Sequence, residues 1–397
     1  MQLDPALWAD RPGFPRLLKA LEAESGATRI VGGAVRDWLM GQSVSDIDLA
    51  TRLTPAETIT ALEGAGIRAI PTGLSHGTIT ALVGDTPYEV TTLRRDVTTF
   101  GRHAEVAFTQ DWGEDAARRD FTINALYADP LTGAVTDYFS GLDDLANRRV
   151  RFIGAPLERI AEDHLRILRF FRFSARFAPS LDAEGLAACA ARANDLMALS
   201  RERIRDEMLK LLALSDPVPT LSAMVRLDIL KPVLPEIEAA RLADLPRLIA
   251  AEAEAGAPAD ALRRLAALLP QDARVAGDIA GRLKLSKAEK ARLVHASRRD
   301  PAPGDPRALA YAIGPDAALD RLLLTDDPRA RHWAVALAAY TRPRLPISGK
   351  DLIAMGLPPG PAVSRRLSDV EQRWIAAGFP ADRHQVMAMA REVLEIR

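Results

Sequence analysis

Asp46 and Asp48 stand two residues apart in Asp46-Ile-Asp48, a spacing that brings both carboxylates to one face of an extended strand. Paired carboxylates are hard oxygen ligands, suited to holding magnesium (Mg2+) against a triphosphate. Upstream runs Ile30-Val-Gly-Gly-Ala-Val-Arg-Asp37, an apolar start, two glycines and a helix-like segment over 34–40. Without a Cβ, Gly32 and Gly33 can bring backbone N–H groups close to a polyphosphate at a helix start. Arg36 adds a planar fork of donors. A Gly-Gly pair alone reads as a tight turn, and Asp-x-Asp alone as a solvated strand edge. In this order the two point to nucleotidyl transfer.

Further residues able to do chemistry follow downstream. In Tyr88-Glu-Val-Thr-Thr-Leu-Arg94, strand alternation puts Glu89, Thr91 and Leu93 on one face and Val90 on the other. Glu89 either completes the metal site as a third ligand or faces water. Next comes Arg94-Arg-Asp-Val-Thr-Thr-Phe-Gly-Arg-His103, which reads as a mobile surface loop, with an ordinary hairpin connection as the alternative. In Arg118-Arg-Asp-Phe-Thr-Ile-Asn124, Asp120 and Asn124 are four apart, as on one helical face. Such a pair can hydrogen-bond a ribose while Arg119 neutralises phosphate. In Glu162-Asp-His-Leu-Arg-Ile-Leu-Arg-Phe-Phe-Arg-Phe173, Glu162, Asp163, Arg166 and Arg169 fall at helical spacing as a single polar stripe. Eight arginines lie between Arg148 and Arg176, a basic patch inside a neutral chain.

Taken in order, these motifs resemble the bacterial branch of the tRNA CCA-adding enzyme and poly(A) polymerase family, the class II tRNA nucleotidyltransferases. The motif match is ordered over roughly the first 240 residues and looser beyond. The resemblance implies that the 94–103 loop helps the enzyme turn from one nucleotide to the next. It implies that Arg119, Asp120 and Asn124 handle sugar and triphosphate, and that Asp163 and Arg166 read the incoming base in place of a nucleic-acid template. Glu162 would then orient Arg166, while Arg169 and Arg172 bind triphosphate or fix the site. Base reading is chemically reasonable, because a carboxylate accepts from the exocyclic amino group that cytosine and adenine share, and a guanidinium donates to their ring nitrogen or carbonyl. Ser200-Arg-Glu-Arg-Ile-Arg-Asp-Glu-Met-Leu-Lys210 resembles a segment that buttresses the reading helix, and the stretch 347–361 resembles a tail segment that helps grip tRNA, with a plain helix-boundary signal at its Gly-Pro as the equal alternative.

These residues need elements to position them. Short β-rich runs over 28–31, 46–50, 77–83 and 88–93, with a helix over 55–64, predict an α/β head. Beyond about Gly141 the chain turns Leu-, Ala- and Arg-rich with helical spacing, punctuated by proline, and strong breaks stand at 300–306 and 342–349. The expected class is α+β: a polymerase-β-like nucleotidyltransferase head over 1–140, a helical neck with the base-reading helix over 141–210, a helical body over 211–300, and a tRNA-binding helical tail over 301–397. With 397 residues the chain exceeds one ordinary core.

Bulk properties bound the rest. Lys and Arg total 52 against 53 Asp and Glu, so a polyanion must be met by a local basic surface and not by net charge. The single cysteine, Cys189, makes no intrachain disulfide and reads as a buried small hydrophobe, which fits a reducing cytoplasm. No signal peptide or membrane segment is expected, and the six histidines form no metal set and no His-Asp doublet of the kind an appended phosphohydrolase module would use. The expected reaction is two-metal addition of CMP and AMP, from CTP and ATP, to the tRNA 3′ end, with no protein partner. The competing readings are a poly(A) polymerase or a CC- or A-adding member, a small-molecule nucleotidyltransferase, and an RNA-binding protein without chemistry.

Overall fold

Apolar residues alternate along the first strands, and the alternation sorts them onto the two faces of one sheet. In the computed structural model, which describes residues 1–100, 103–299, 305–325, 327–337 and 340–395, the strands are β1 (Thr28–Val31), β2 (Asp48–Thr51), β3 (Arg68–Gly73), β4 (Thr78–Val83), β5 (Thr86–Thr92), β6 (Arg94–Phe100), β7 (His103–Phe108), β8 (Leu126–Ala128) and β9 (Val135–Asp137). Seven of them form a mixed sheet in the order β3-β4-β5-β2-β1-β8-β9. Only the β2–β5 pair is parallel. Ile30, Leu49, Ile79, Val90, Leu126 and Ala128 face a core that includes Trp8, Phe14, Leu17 and Trp38, while Val31, Ala50 and Tyr127 face a smaller one with Trp112 and Ile153. The period of two along each strand thus covers both faces of the sheet.

Residues 94–100 depart from the expected loop and take the hairpin pairing given as its alternative. β6 and β7 pair antiparallel as a separate two-stranded sheet, from Arg94 opposite Phe108 to Phe100 opposite His103, with a register shift between Asp96 and Thr98. Val97, Thr98, Thr99 and Phe100 carry the β propensity that its charged ends mask, and pairing satisfies backbone groups that a loop would leave to water. Gly101 and Arg102 lie outside the described residues.

The expected helix appears at Pro55–Gly64, closed by a capping box between Thr54 and Glu57. From Gly141 onward the described elements are helices. The chain forms two compact units, one of residues 1–211 with 219–233 and the other of residues 212–218 with 234–397.

In the second unit several helices start at side-chain caps: Asp260, Asp272 and Asp305 accept from backbone N–H groups, and Ser286 forms a capping box with Glu289. Asp305 belongs to the expected break at 300–306; residues 300–304 lie outside the described residues. Arg263 and Arg264 are buried against Glu252, and Arg263 also pairs with Asp320. Near the C-terminus Ile347, Leu352, Val370, Trp374, Val386, Ala390 and Val393 make a core of their own. Among the described residues no helix is long and apolar enough to cross a membrane.

Candidate active site

The register of the sheet sets the first part of the site. Val31 at the end of β1 pairs with Asp48 at the start of β2, and Asp48 stands opposite Glu89 on parallel β5, so the two carboxylates rise side by side from one face. Immediately past Val31, Gly32 has φ +72° and ψ −122° and caps the Gly33–Leu39 helix. The positive φ is what calls for glycine here, and Arg119 Nη1 lies close over it, 3.4 Å from where a Cβ would stand.

Asp48 is reachable by solvent yet closely surrounded. Loss of solvation, then the neighbouring Glu89 and Asp46 carboxylates, hold its carboxyl above the ordinary range, against the pull of Arg119. Asp46 precedes β2, exposed, with its Oδ2 accepting from Ser45 Oγ at 2.9 Å. Among the described residues no group of three or more His, Cys, Asp or Glu side chains is gathered closely enough to hold a metal ion. The donor chemistry at Asp46, Asp48 and Glu89 is all carboxylate, which fits a hard divalent cation.

All of the residues expected to bind nucleotide line one cleft of about 420 Å³ together with Asp48: Gly32, Gly33, Arg36, Arg119, Asp120, Asn124, Asp163, Arg166, Arg169 and Arg172. Asp46 and Glu89 lie outside that lining. Asp120 and Asn124 are not on a helical face as expected, because Phe121 is extended and bridges to Phe152, and Thr122–Asn124 is one 3-10 turn. They meet all the same: Asn124 Nδ2 donates to Asp120 Oδ1 at 2.9 Å, and Arg36 Nη1 donates to Asn124 Oδ1. Arg169 Nε donates to the other Asp120 oxygen at 2.6 Å. Burial alone would raise the Asp120 carboxyl, but Arg169 and Asn124 hold it below the ordinary range.

Arg119 is fixed from behind. Its Nε donates to the Tyr127 hydroxyl at 3.1 Å and its Nη2 to Asp115 Oδ2 at 3.1 Å, and Tyr127 donates to the same oxygen at 2.7 Å. Asp115 is buried, which alone would raise its pKa, yet Arg118, Arg119 and the Tyr127 hydroxyl bring it down to about 2.

The stripe expected on one helix is split. The Pro156–Glu162 helix ends at Asp163, which is extended (φ −149°, ψ 106°), and the next helix is Leu165–Phe177. The break has a local cause, since Asp163 Oδ1 accepts from Leu165 N at 3.1 Å and so opens the second helix. Across it Glu162 still holds Arg166, whose guanidinium also donates to the carbonyls of Arg159 at 2.8 Å and Arg118 at 3.0 Å. Asp163 Oδ2 is held by Arg203 Nη2 at 2.7 Å, and Glu207 accepts from Arg172 Nε at 2.5 Å. Both partners stand on the Arg201–Leu212 helix, whose basic first turns thereby find the carboxylate they need.

Sequence reasoning left Arg118, Phe173 and Arg176 out of the cleft lining. Their signal was present, because Arg169, Arg172, Phe173 and Arg176 continue the helical spacing from Arg166. Phe173 lies 4.3 Å from the guanidinium carbon of Arg172 and 5.2 Å from that of Arg169, an apolar floor for the arginine row.

A mixed sheet that sets a Gly-Gly helix start beside strand carboxylates, under a cleft closed by arginines, defines a polymerase-β-like nucleotidyltransferase. Residues 28–151 match the family model described as the poly A polymerase head domain, and residues 180–241 match that of a probable RNA and SrmB-binding site of polymerase A. The human mitochondrial CCA tRNA nucleotidyltransferase 1 is 33% identical over 96% of this chain and 90% of its own length. The CCA-adding enzyme of Lacticaseibacillus paracasei is 32% identical over 96% of each chain. In fold, the chain resembles the Bacillus stearothermophilus CCA-adding enzyme solved in complex with CTP, with a TM-score of 0.68 at 24% identity over 96% of this chain and 98% of that one. It likewise resembles the Thermotoga maritima enzyme complexed with tRNA, with a TM-score of 0.66 at 20% identity over 99% and 97%. The chain belongs to the class II family of CCA-adding enzymes and poly(A) polymerases. Nucleotidyltransferases with this type of head use a divalent metal ion.

Proposed function

We propose that this protein adds CMP and AMP from CTP and ATP to tRNA 3′ ends without a nucleic-acid template, with Mg2+ as its metal. The observation that carries the reading is the single cleft in which the Gly32–Gly33 turn, Asp48, the Arg119–Asp120–Asn124 group and the arginine row meet. Asp46 and Asp48 are the metal ligands in this reading, with Glu89 beside Asp48 in register. Bound there, the metal supplies charge that favours deprotonation of the attacking 3′-hydroxyl and departure of pyrophosphate. Gly32 and Gly33 admit the triphosphate to backbone N–H groups, and Arg119 meets its charge. Asp120 and Asn124 hold the ribose. Asp163 and Arg166 offer carboxylate and guanidinium to the base edge, held by Arg203 on one side and Glu162 on the other. Arg169 and Arg172 carry positive charge over Phe173 at the far side.

We divide the chain into a head over 1–140, a neck over 141–210, a body over 211–300 and a tRNA-gripping tail over 301–397, and place it in the cytoplasm, where the buried thiol of Cys189 stays reduced. The deciding assay gives purified protein, magnesium and each NTP, singly and together, to tRNA transcripts ending before the first C, after one C and after both, resolved to one nucleotide. The expected result is C, C and A added in order and then a stop. Continued adenosine addition to unstructured RNA overturns the CCA reading in favour of poly(A) synthesis.

A further inference from the structure

The Gly33–Leu39 helix carries a carboxylate that lies outside the cleft lining and touches two arginines that line it. Asp37 Oδ1 accepts from Arg36 Nε at 2.8 Å and pairs with its Nη2 at 2.8 Å, while Oδ2 accepts from Arg176 Nη2 at 3.1 Å. The ring of Phe177 lies 4.4 Å from the guanidinium carbon of Arg36 and 4.8 Å from that of Arg176. Two cations gathered around one ring repel, and with the Arg36 side chain only 5% exposed water screens little of it. Asp37 is the counter-ion they share. With Nε and Nη2 turned to Asp37, Arg36 directs Nη1 to Asn124 Oδ1. That donor decides which way the Asn124 amide points: its carbonyl faces Arg36, so Nδ2 faces Asp120 at 2.9 Å, and the second Asp120 oxygen is left to Arg169 at 2.6 Å.

We propose that Asp37 is a positioning residue for the nucleotide site: through Arg36 it sets the orientation of Asn124 and Asp120, and through Arg176 it ties them to the helix that carries Arg166 and Arg169. This rests on the reading of Asp120 and Asn124 as groups that hold the ribose. The role differs from ligand binding, because Asp37 lies outside the cleft lining and acts on it through Arg36 and Arg176.

The test is a double-mutant cycle in the full-length enzyme, with Asp37→Asn and Asn124→Ala alone and together, reading kcat/KM for CTP on a tRNA ending before its first C. Each single change is expected to lower kcat/KM roughly tenfold, as a lost charge-assisted contact does. The Asp37→Asn effect should shrink to about threefold or less once Asn124 is alanine, because the relay then has no end. Asp37→Glu should recover most of the activity. Effects that multiply, or an Asp37→Asn enzyme with unchanged kcat/KM, overturn the proposal. Preference for CTP over 2′-deoxy-CTP, measured on Asn124→Ala, separates the two readings: an unchanged preference removes the ribose assignment, while the cycle alone decides Asp37. If Asp37→Asn does not fold, Arg36→Lys, which keeps the charge and loses the fork, takes its place in the same cycle.

Discussion

At the scale of single residues, the site is a set of charges whose partners differ from those that spacing suggests. Loss of solvation, and then Glu89 beside it, raise the Asp48 carboxyl, and among the described residues no cation is bonded to it. A metal would relieve that repulsion. Asp48→Asn should therefore lower nucleotide addition by on the order of a thousandfold or more while tRNA binding survives; near-normal turnover with magnesium would remove Asp48 from the metal site. The same measurement on Glu89→Gln tells whether the neighbouring carboxylate is a ligand or only a neighbour. Asp163 is held by Arg203, and this pairing orients its second oxygen toward Leu165 N. Asp163→Ala should relax the choice among the four nucleotides by roughly 1–3 kcal/mol of discrimination. Nucleotide competition assays read it, and unchanged ratios would count against the base-reading assignment.

At the scale of elements, positions are held by small buried networks behind the cleft. The Trp112–Ala117 helix presents Asp115 to Arg118, Arg119 and Tyr127, and this is what aims Arg119 at the Gly32 turn. In the fold the Asp115 carboxyl is held down at about 2, against an ordinary aspartate value of 3.8. A depressed pKa gives stability that is fully present above the unfolded value, here above about pH 4 to 5, and is lost as pH falls through the native value. Asp115 should therefore contribute about 2 kcal/mol near neutrality. Urea unfolding of wild type and Asp115→Asn should show the difference shrinking between pH 4 and pH 2; a gap that stays constant over that range would dismiss the linkage.

At the scale of the whole molecule, a net charge of −1 coexists with a strongly basic cleft, so attraction for RNA is local. The stem of tRNA is an A-form duplex read mainly through phosphates and 2′-hydroxyls, and binding should weaken steeply with added salt while changing little among tRNAs of different sequence. Filter binding across a salt series, with several tRNA transcripts and an unstructured RNA, checks both; equal affinity for the unstructured RNA would contradict it. The second unit is held in part by buried ions, with Arg263 between Glu252 and Asp320 and each side chain at most 3% exposed. Arg263→Met should cost about 1–3 kcal/mol, because it removes one cation from two buried carboxylates that keep Arg264 and Arg292 as partners. The exposed Arg274–Asp278 pair, at 78% and 70%, should lose under about 1 kcal/mol in the same unfolding experiment.

The order of residues by itself determined a good deal. The Gly-Gly turn, the strand carboxylates, the helix at Pro55–Gly64 and the helical remainder follow from glycine's conformational freedom, the period of two and the period of 3.6, all of which are local rules. The tertiary structure alone decided who pairs with whom. That Asp48 faces Glu89 depends on the one parallel strand pair in the sheet, whose partners are 41 positions apart in sequence. That Asp163 leaves the helix and joins Arg203 depends on a cap bond and a partner 40 residues away. Between the mobile loop and the hairpin connection that composition left open for this stretch, the pairing of residues 94–100 with β7 decided for the hairpin, because backbone groups there meet partners on another strand. Periodicity tells which face a side chain takes; the charge that meets it there comes from another part of the chain, brought near only when the whole fold is in place.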